Sequence, residues 1–294
     1  MVGIAIHLYF GEIGFETAAV QGVGMTLAAL LAHQIYVRRN FVDRGDPALA
    51  WLTVAWSIAL FSTEMSAWEA ARAWGSLSLM ASSLLVSLQM HRQPSTSGIQ
   101  FRAGALAGLG LLLDPGSWGI IAGLALIQVN TRPAFLREWV MLGAGLTWIL
   151  CLGGFVVTEL DVDAGWTAMP FKNIPLGQSG KWLLGTWGVV GAILLLREQG
   201  QQTLRVQNTR MNTLLGWGSI TLGSLLQFDW AGWWGVQYAG LQNSPALALT
   251  LAFFTIALVP KRDRHERQRK PLIEFLFWVF VGTLLVLFAE PIVR

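Results

Sequence analysis

Charge is what this chain has least of. Asp, Glu, Lys and Arg make up 13% of its 294 residues, about half the share usual in a water-soluble domain. With 54% hydrophobic residues and a mean hydropathy of +0.52, too little polar surface remains to cover a molecule folded in water. Cysteine is almost absent. Cys151 alone excludes an internal disulfide and a CxxC metal or redox site, and its apolar surroundings in the sequence predict an inert, buried thiol. The four histidines, His7, His33, His91 and His265, show no HxxxH or HExxH spacing, so no metal site is expected. No GxSxG, P-loop or GxGxxG signature occurs, and no cofactor is expected. The opening residues "MVGIAIHLYFGEIGFE" lack a basic n-region and carry two glutamates, so no cleavable signal peptide is expected.

What is plentiful fits lipid as the solvent. Thirty-two glycines and fifteen tryptophans suit membrane helices, where glycine permits close approach and tryptophan collects at the interfaces. A crossing needs roughly 20 apolar residues. Runs of that kind predict spans at 17–37, 47–63, 67–90, 138–158, 181–197, 212–228, 244–260 and 271–290. The expected fold is therefore all-α: a polytopic transmembrane helix bundle of about eight spans in a single integral membrane domain, 1–294.

The stretch 103–129 is too long for one crossing and too short for two. Assigning connections alternately, with the N-terminus outside, puts every basic residue except Arg72, Lys172, Lys181 and Arg294 on the inner side. That outcome satisfies the positive-inside rule on one condition: 103–129 must leave the inner face and return to it. Arg102 precedes the stretch and Arg132 follows it. Proline removes a helix donor and glycine admits a turn, so Asp114-Pro115-Gly116 marks the tip of a broken-helix hairpin of two short helices, 103–113 and 116–129. These would rise about 16 and 21 Å, leaving the tip below the outer surface. The competing reading is one long kinked helix. It would reverse every later span and put "KRDRHERQRK" (261–270) outside, so the hairpin is favoured. On the favoured topology this basic run is a cytoplasmic connection attracted to anionic lipid headgroups. It is no nucleic-acid patch, for it has neither stacking aromatics nor a recognisable module.

The outer side is then acidic, holding Glu12, Glu16, Glu64, Glu69, Asp114, Glu159, Asp161, Asp163, Asp229 and Glu290. Most need no function, because basic residues are simply kept from that side. Asp114 stands apart, since an intramembrane ionisable group is costly and is by default a functional hypothesis. The structural alternative is an aspartate that caps the second half-helix. Arg72 is a candidate partner for Asp114, Glu64 or Glu69, and Glu69 and Arg72 share a helix face at i, i+3. "DVD" at 161–163 is a weak candidate for a divalent cation with a phosphate ligand. Glu274 sits in the first turn of the last span and is explained by the helix dipole. "FDWAGWWGVQYAG" (228–240) is expected to be an interfacial aromatic belt, less readily a stacking platform for a sugar or partner. Gly104 with Gly108, Gly119 with Gly123, and Gly216 with Ser219 and Gly223 have the spacing of close helix contacts.

Residues 102–150, "RAGALAGLGLLLDPGSWGIIAGLALIQVNTRPAFLREWVMLGAGLTWIL", resemble an uncharacterised polytopic inner-membrane family of the Bacteroidota about 300 residues long. The matching residues are Leu109 to Ser117, Arg132-Pro133, Arg137-Glu138-Trp139 and Gly145, supported by "IYVRRNFVDRGDPALAW" and "SLQMHRQPS". The resemblance implies a bacterial inner-membrane protein and no assigned activity. Two departures stand out: family members begin with one more span, which implies a shortened N-terminus here, and the proline after the REW helix is replaced by Thr147-Trp148. Members sometimes carry the label of carotene-cleaving oxygenases. Such enzymes hold iron with four histidines on a soluble propeller, which the scattered histidines of a helical membrane protein do not reproduce. The same stretch is also similar to the membrane core of GT-C glycosyltransferases, which use polyprenyl-phosphate sugar donors and a carboxylate in the first outer loop. That similarity implies Glu12 or Glu16 as the base, with Asp114 across an outer groove.

Three functions follow as expectations. The first is a non-catalytic envelope subunit or assembly factor, with the bilayer and other envelope proteins as partners. The second is a GT-C-like glycosyltransferase acting on polyprenyl-phosphate lipids through Asp114 and Glu12 or Glu16. The third is a small transporter, which calls for interrupted helices in symmetric pairs; the sequence shows one interruption.

Overall fold

The structure is a computed structural model of the chain. It describes residues 15–38, 51–53, 66–92, 96–114, 118–131, 135–159, 186–191, 193–194, 204–229, 235–238, 251–252, 255, 276 and 278–282. Among the described residues six long helices stand out: α1 Phe15–Arg38, α2 Ala67–Ser87, α3 Ser97–Leu113, α4 Gly119–Thr131, α5 Leu136–Glu159 and α6 Leu204–Leu225. A 3-10 turn, Leu88–Arg92, extends α2, and two strands, β1 Leu226–Asp229 and β2 Gly235–Tyr238, follow α6 directly. Three helices are long and apolar enough to cross a membrane, over Phe15–Ile35, Ala67–Met90 and Leu136–Val156. These agree with the predicted spans 17–37, 67–90 and 138–158. Of the spans 47–63, 181–197, 244–260 and 271–290, the described residues are helical and the rest lie outside the described residues.

The helix directions follow from contacts along each pair. Ser83 Oγ donates to the Ala103 carbonyl at 2.7 Å, Ser76 Oγ to Gly110 at 2.9 Å and Arg72 Nε to Leu113 at 2.9 Å. Rising number on α3 meets falling number on α2, so the two are antiparallel. A Cβ added to Gly104 would strike the Leu142 carbonyl, one on Gly145 the Phe101 carbonyl, and one on Gly153 the Leu112 side chain. Numbers rise together, and α3 and α5 are parallel. Gly123 lies against Gly216 and Ser219, while Asn130 bonds Asn212, which makes α4 and α6 antiparallel. Gln100, near the start of α3, bonds Gln128, near the end of α4. The chain therefore goes up through α3 and back down through α4. The helix breaks at Asp114, whose backbone is extended at φ −145° and ψ 98°, as a residue before proline prefers.

This is the expected hairpin with different bounds. α3 begins at Ser97, six residues before the hydropathy limit of 103, and takes Arg102 into its second turn. Its 17 residues and the 13 of α4 rise about 25 and 20 Å, both short of a hydrocarbon core of about 30 Å. The glycine pairs read from the sequence form two seams, α3 on α5 and α4 on α6, where backbones approach as small residues allow. α2 is central, packing on α1 and α3 and carrying Trp74, Leu77, Met80 and Leu84 into the core. Trp187 and Phe280 meet edge to face with centroids 5.2 Å apart, which joins the predicted spans 181–197 and 271–290.

Two expectations need correction. The span predicted at 212–228 is a helix from Leu204 to Leu225, and the chain is extended from Leu226. Hydropathy marks apolar residues without telling helix from strand, and it omits the polar first turns. β1 and β2 pair antiparallel, Leu226 opposite Tyr238 and Asp229 opposite Gly235, and are the strands among the described residues. They overlap the aromatic stretch 228–240. Cys151 is exposed on α5 rather than buried: the glycine seam takes the opposite side of that helix, and the apolar residues around Cys151 face outward.

Candidate functional site

Of the residues singled out by sequence, Asp114, Arg72 and Glu69 lie at the end of the bundle where α2 starts and α3 stops. Asp114 is half-buried there, and its backbone N–H closes α3 by donating to the Gly110 carbonyl at 3.0 Å. Arg72 reaches the same point. Its Nε satisfies the Leu113 carbonyl, one of the last four carbonyls that a helix leaves without a partner, and its charge suits the negative end of the dipole. Glu69 is engaged elsewhere: with Ser66 it forms a capping box at the start of α2, the Ser66 N–H donating to Glu69 Oε2 at 2.8 Å and the Glu69 N–H to Ser66 Oγ at 3.2 Å. Glu16 is exposed in the first turn of α1. α1 and α3 each pack on α2 and make no extensive contact with one another, so Glu16 and Asp114 belong to helices that both lie against α2. Glu12, Glu64 and the "DVD" stretch lie outside the described residues.

A second polar centre, at the opposite end, was not singled out as a site. Glu138 lies in the first turn of α5 and is 5% exposed. Gln128 Nε2 donates to its Oε2 at 3.1 Å, and the Thr96 hydroxyl donates to its Oε1. Gln100 Nε2 in turn donates to Gln128 Oε1 and contacts the sulfur of Met90. Thr96, Gln100, Gln128 and Met90 are all buried. The donors run in one direction, from Gln100 to Gln128 to Glu138, and the helix N-terminus adds its positive partial charge. Thr96 precedes α3 at the position where a hydroxyl normally caps its own helix, yet it makes no capping bond. Its hydroxyl is spent on Glu138 instead.

In the sequence, Glu138 sits between exposed-looking neighbours in "LREWV", and Arg137 is indeed exposed. A weak signal was available: Gln100, Gln128 and Glu138 are polar groups at the ends of apolar runs whose ends the topology already assigns to one side. Compared with known proteins, the chain matches no family model, no curated protein and no solved structure.

Proposed function

We propose that the chain is a multi-spanning protein of a bacterial inner membrane, with the basic run 261–270 cytoplasmic, that serves as a non-catalytic envelope subunit or assembly factor. The observation that supports this reading is how the interior polar groups are used. Arg72, Ser76 and Ser83 bond α3 carbonyls, and Glu138 joins α5 to α4 and to the start of α3. They tie helix to helix and do not converge on a cleft. The described cavity, about 380 Å³ between α1 and α2, is lined by Ala19, Val23, Gly24, Ala71 and Gly75 among others and offers almost no polar group.

The test is recovery of the tagged chain from native membranes after crosslinking in the cell. A subunit is recovered with a stoichiometric membrane partner. Turnover of a polyprenyl-phosphate sugar by the isolated chain, abolished by Asp114→Asn, would reverse the reading in favour of the enzyme. Reporter fusions after residue 265 test the orientation, and an extracytoplasmic signal there would overturn it.

A further inference from the structure

The polar centre around Glu138 is part of a wider buried layer. α2 runs parallel to α4 and antiparallel to α6, and Leu84 lies against Gly216. One turn further along each helix, toward the Glu138 end, come Ser87 on α2 and Asn212 and Thr213 on α6, all buried. The 3-10 turn that follows Ser87 packs on both α4 and α6. Asn130, two positions after Gln128 on α4, bonds Asn212 at 2.6 Å and is exposed; at that spacing the two side chains leave α4 on different faces, Gln128 toward Glu138 and Asn130 toward α6. These polar groups lie at the same end of the bundle as Glu138, where Arg102 and Arg137 are exposed.

Within this layer two atoms find no hydrogen-bond partner in the protein, Ser87 Oγ and Asn212 Nδ2, although both residues are 1% exposed. Leaving a buried hydroxyl and an amide unpaired is costly, and proteins meet such groups with ordered water where two to four polar partners surround it. Asn130, bonded to Asn212, and the adjoining Thr213 are polar groups beside them. We propose that ordered water binds at Ser87 and Asn212, at the arginine-bearing end of the bundle.

Methionine makes the inference directly testable. Met90, Met80 and Met25 are 1%, 2% and 2% exposed, but only Met90 is shown in contact with a polar side chain of the layer, Gln100. A millisecond X-ray pulse generates hydroxyl radicals from water in place, and a bulk scavenger suppresses labelling from outside. In the intact protein in nanodiscs with scavenger present, Met90 is expected to oxidise several-fold faster than Met80 and Met25. Asn212→Leu is expected to reduce that labelling, and Ser87→Ala to lower the melting temperature by removing a partner of bound water. Protection of Met90 equal to that of Met80, or a rise in melting temperature in Ser87→Ala, as expected for deleting an unsatisfied hydroxyl from a dry site, overturns the proposal. The Met90 comparison uses the unmodified chain, so a variant that fails to fold does not remove the test.

Discussion

A single carboxylate, Glu138, holds three parts of the chain. Truncating it in Glu138→Ala leaves the Gln128 amide and the Thr96 hydroxyl buried with their shared acceptor gone. Deleting one member of a buried charged hydrogen-bonded set costs about 3 kcal/mol or more, so the variant is expected to melt well below the native protein in nanodiscs. Glu138→Gln keeps an acceptor oxygen and should lose less; equal stability of Glu138→Ala and the native chain would contradict its role in joining α5 to α4 and the start of α3. Arg72→Ala removes the bond to the Leu113 carbonyl, and that bond's loss alone is expected to cost about 1 kcal/mol. At this scale the sequence was a partial guide. Asp114 announced itself by interrupting an apolar run. Glu138 did not, because its burial comes from α4 and the turn before α3, which are distant in sequence and meet it only in the fold.

Helices carry more of their own signature. The break at Asp114 was legible because Arg102 and Arg132 on either side demand the same face, and because proline and glycine sit at the tip. The seams were legible from spacing, in Gly104 with Gly108, Gly119 with Gly123, and Gly216 with Ser219 and Gly223, and the structure sets Gly123 against Gly216. Gly145 was visible only as part of a family resemblance, and its role shows when Phe101 is found against it. Where α6 begins was not legible, since its first turns are polar and escape any measure of apolarity. The seam gives a paired prediction. Gly104→Ala puts a methyl group into the Leu142 backbone and should lower stability by about 1–3 kcal/mol through overpacking. Gly143→Ala on the same helix pair meets nothing within 4 Å and should be neutral or stabilising by up to about 1 kcal/mol. Thermal unfolding of the two variants side by side decides it, and equal losses would refute the seam.

Taken as a whole, the molecule turns apolar side chains outward to a degree that only lipid or a membrane partner tolerates. α5 shows this most plainly: Val140, Trp148, Leu152 and Phe155 are exposed, and the glycine seam on α3 is its one extensive contact among the described helices. Cys151, the sole cysteine, lies on that helix and is exposed. In nanodiscs it is expected to resist a charged, membrane-impermeant maleimide and to react with it once the protein is unfolded in detergent, because the thiolate that adds to maleimide does not form in hydrocarbon. Labelling in the intact nanodisc at the rate of the unfolded chain would mean that this face meets water. The membrane class was the most legible property of all, because it rests on composition summed over the chain rather than on any one position.

Thr96 leaves α3 without its hydroxyl cap and gives the bond to a residue 42 positions later. On the ribosome those positions arrive in order. The short pair α3 and α4 enters the membrane while the start of α3 lacks its partner and Gln128 has no carboxylate to meet. Chains halted after Thr131 should therefore expose this pair to protease, and chains extended through Glu159 should not. The third helix of this group completes the first two, and the nascent protein cannot settle them until its synthesis has gone past them.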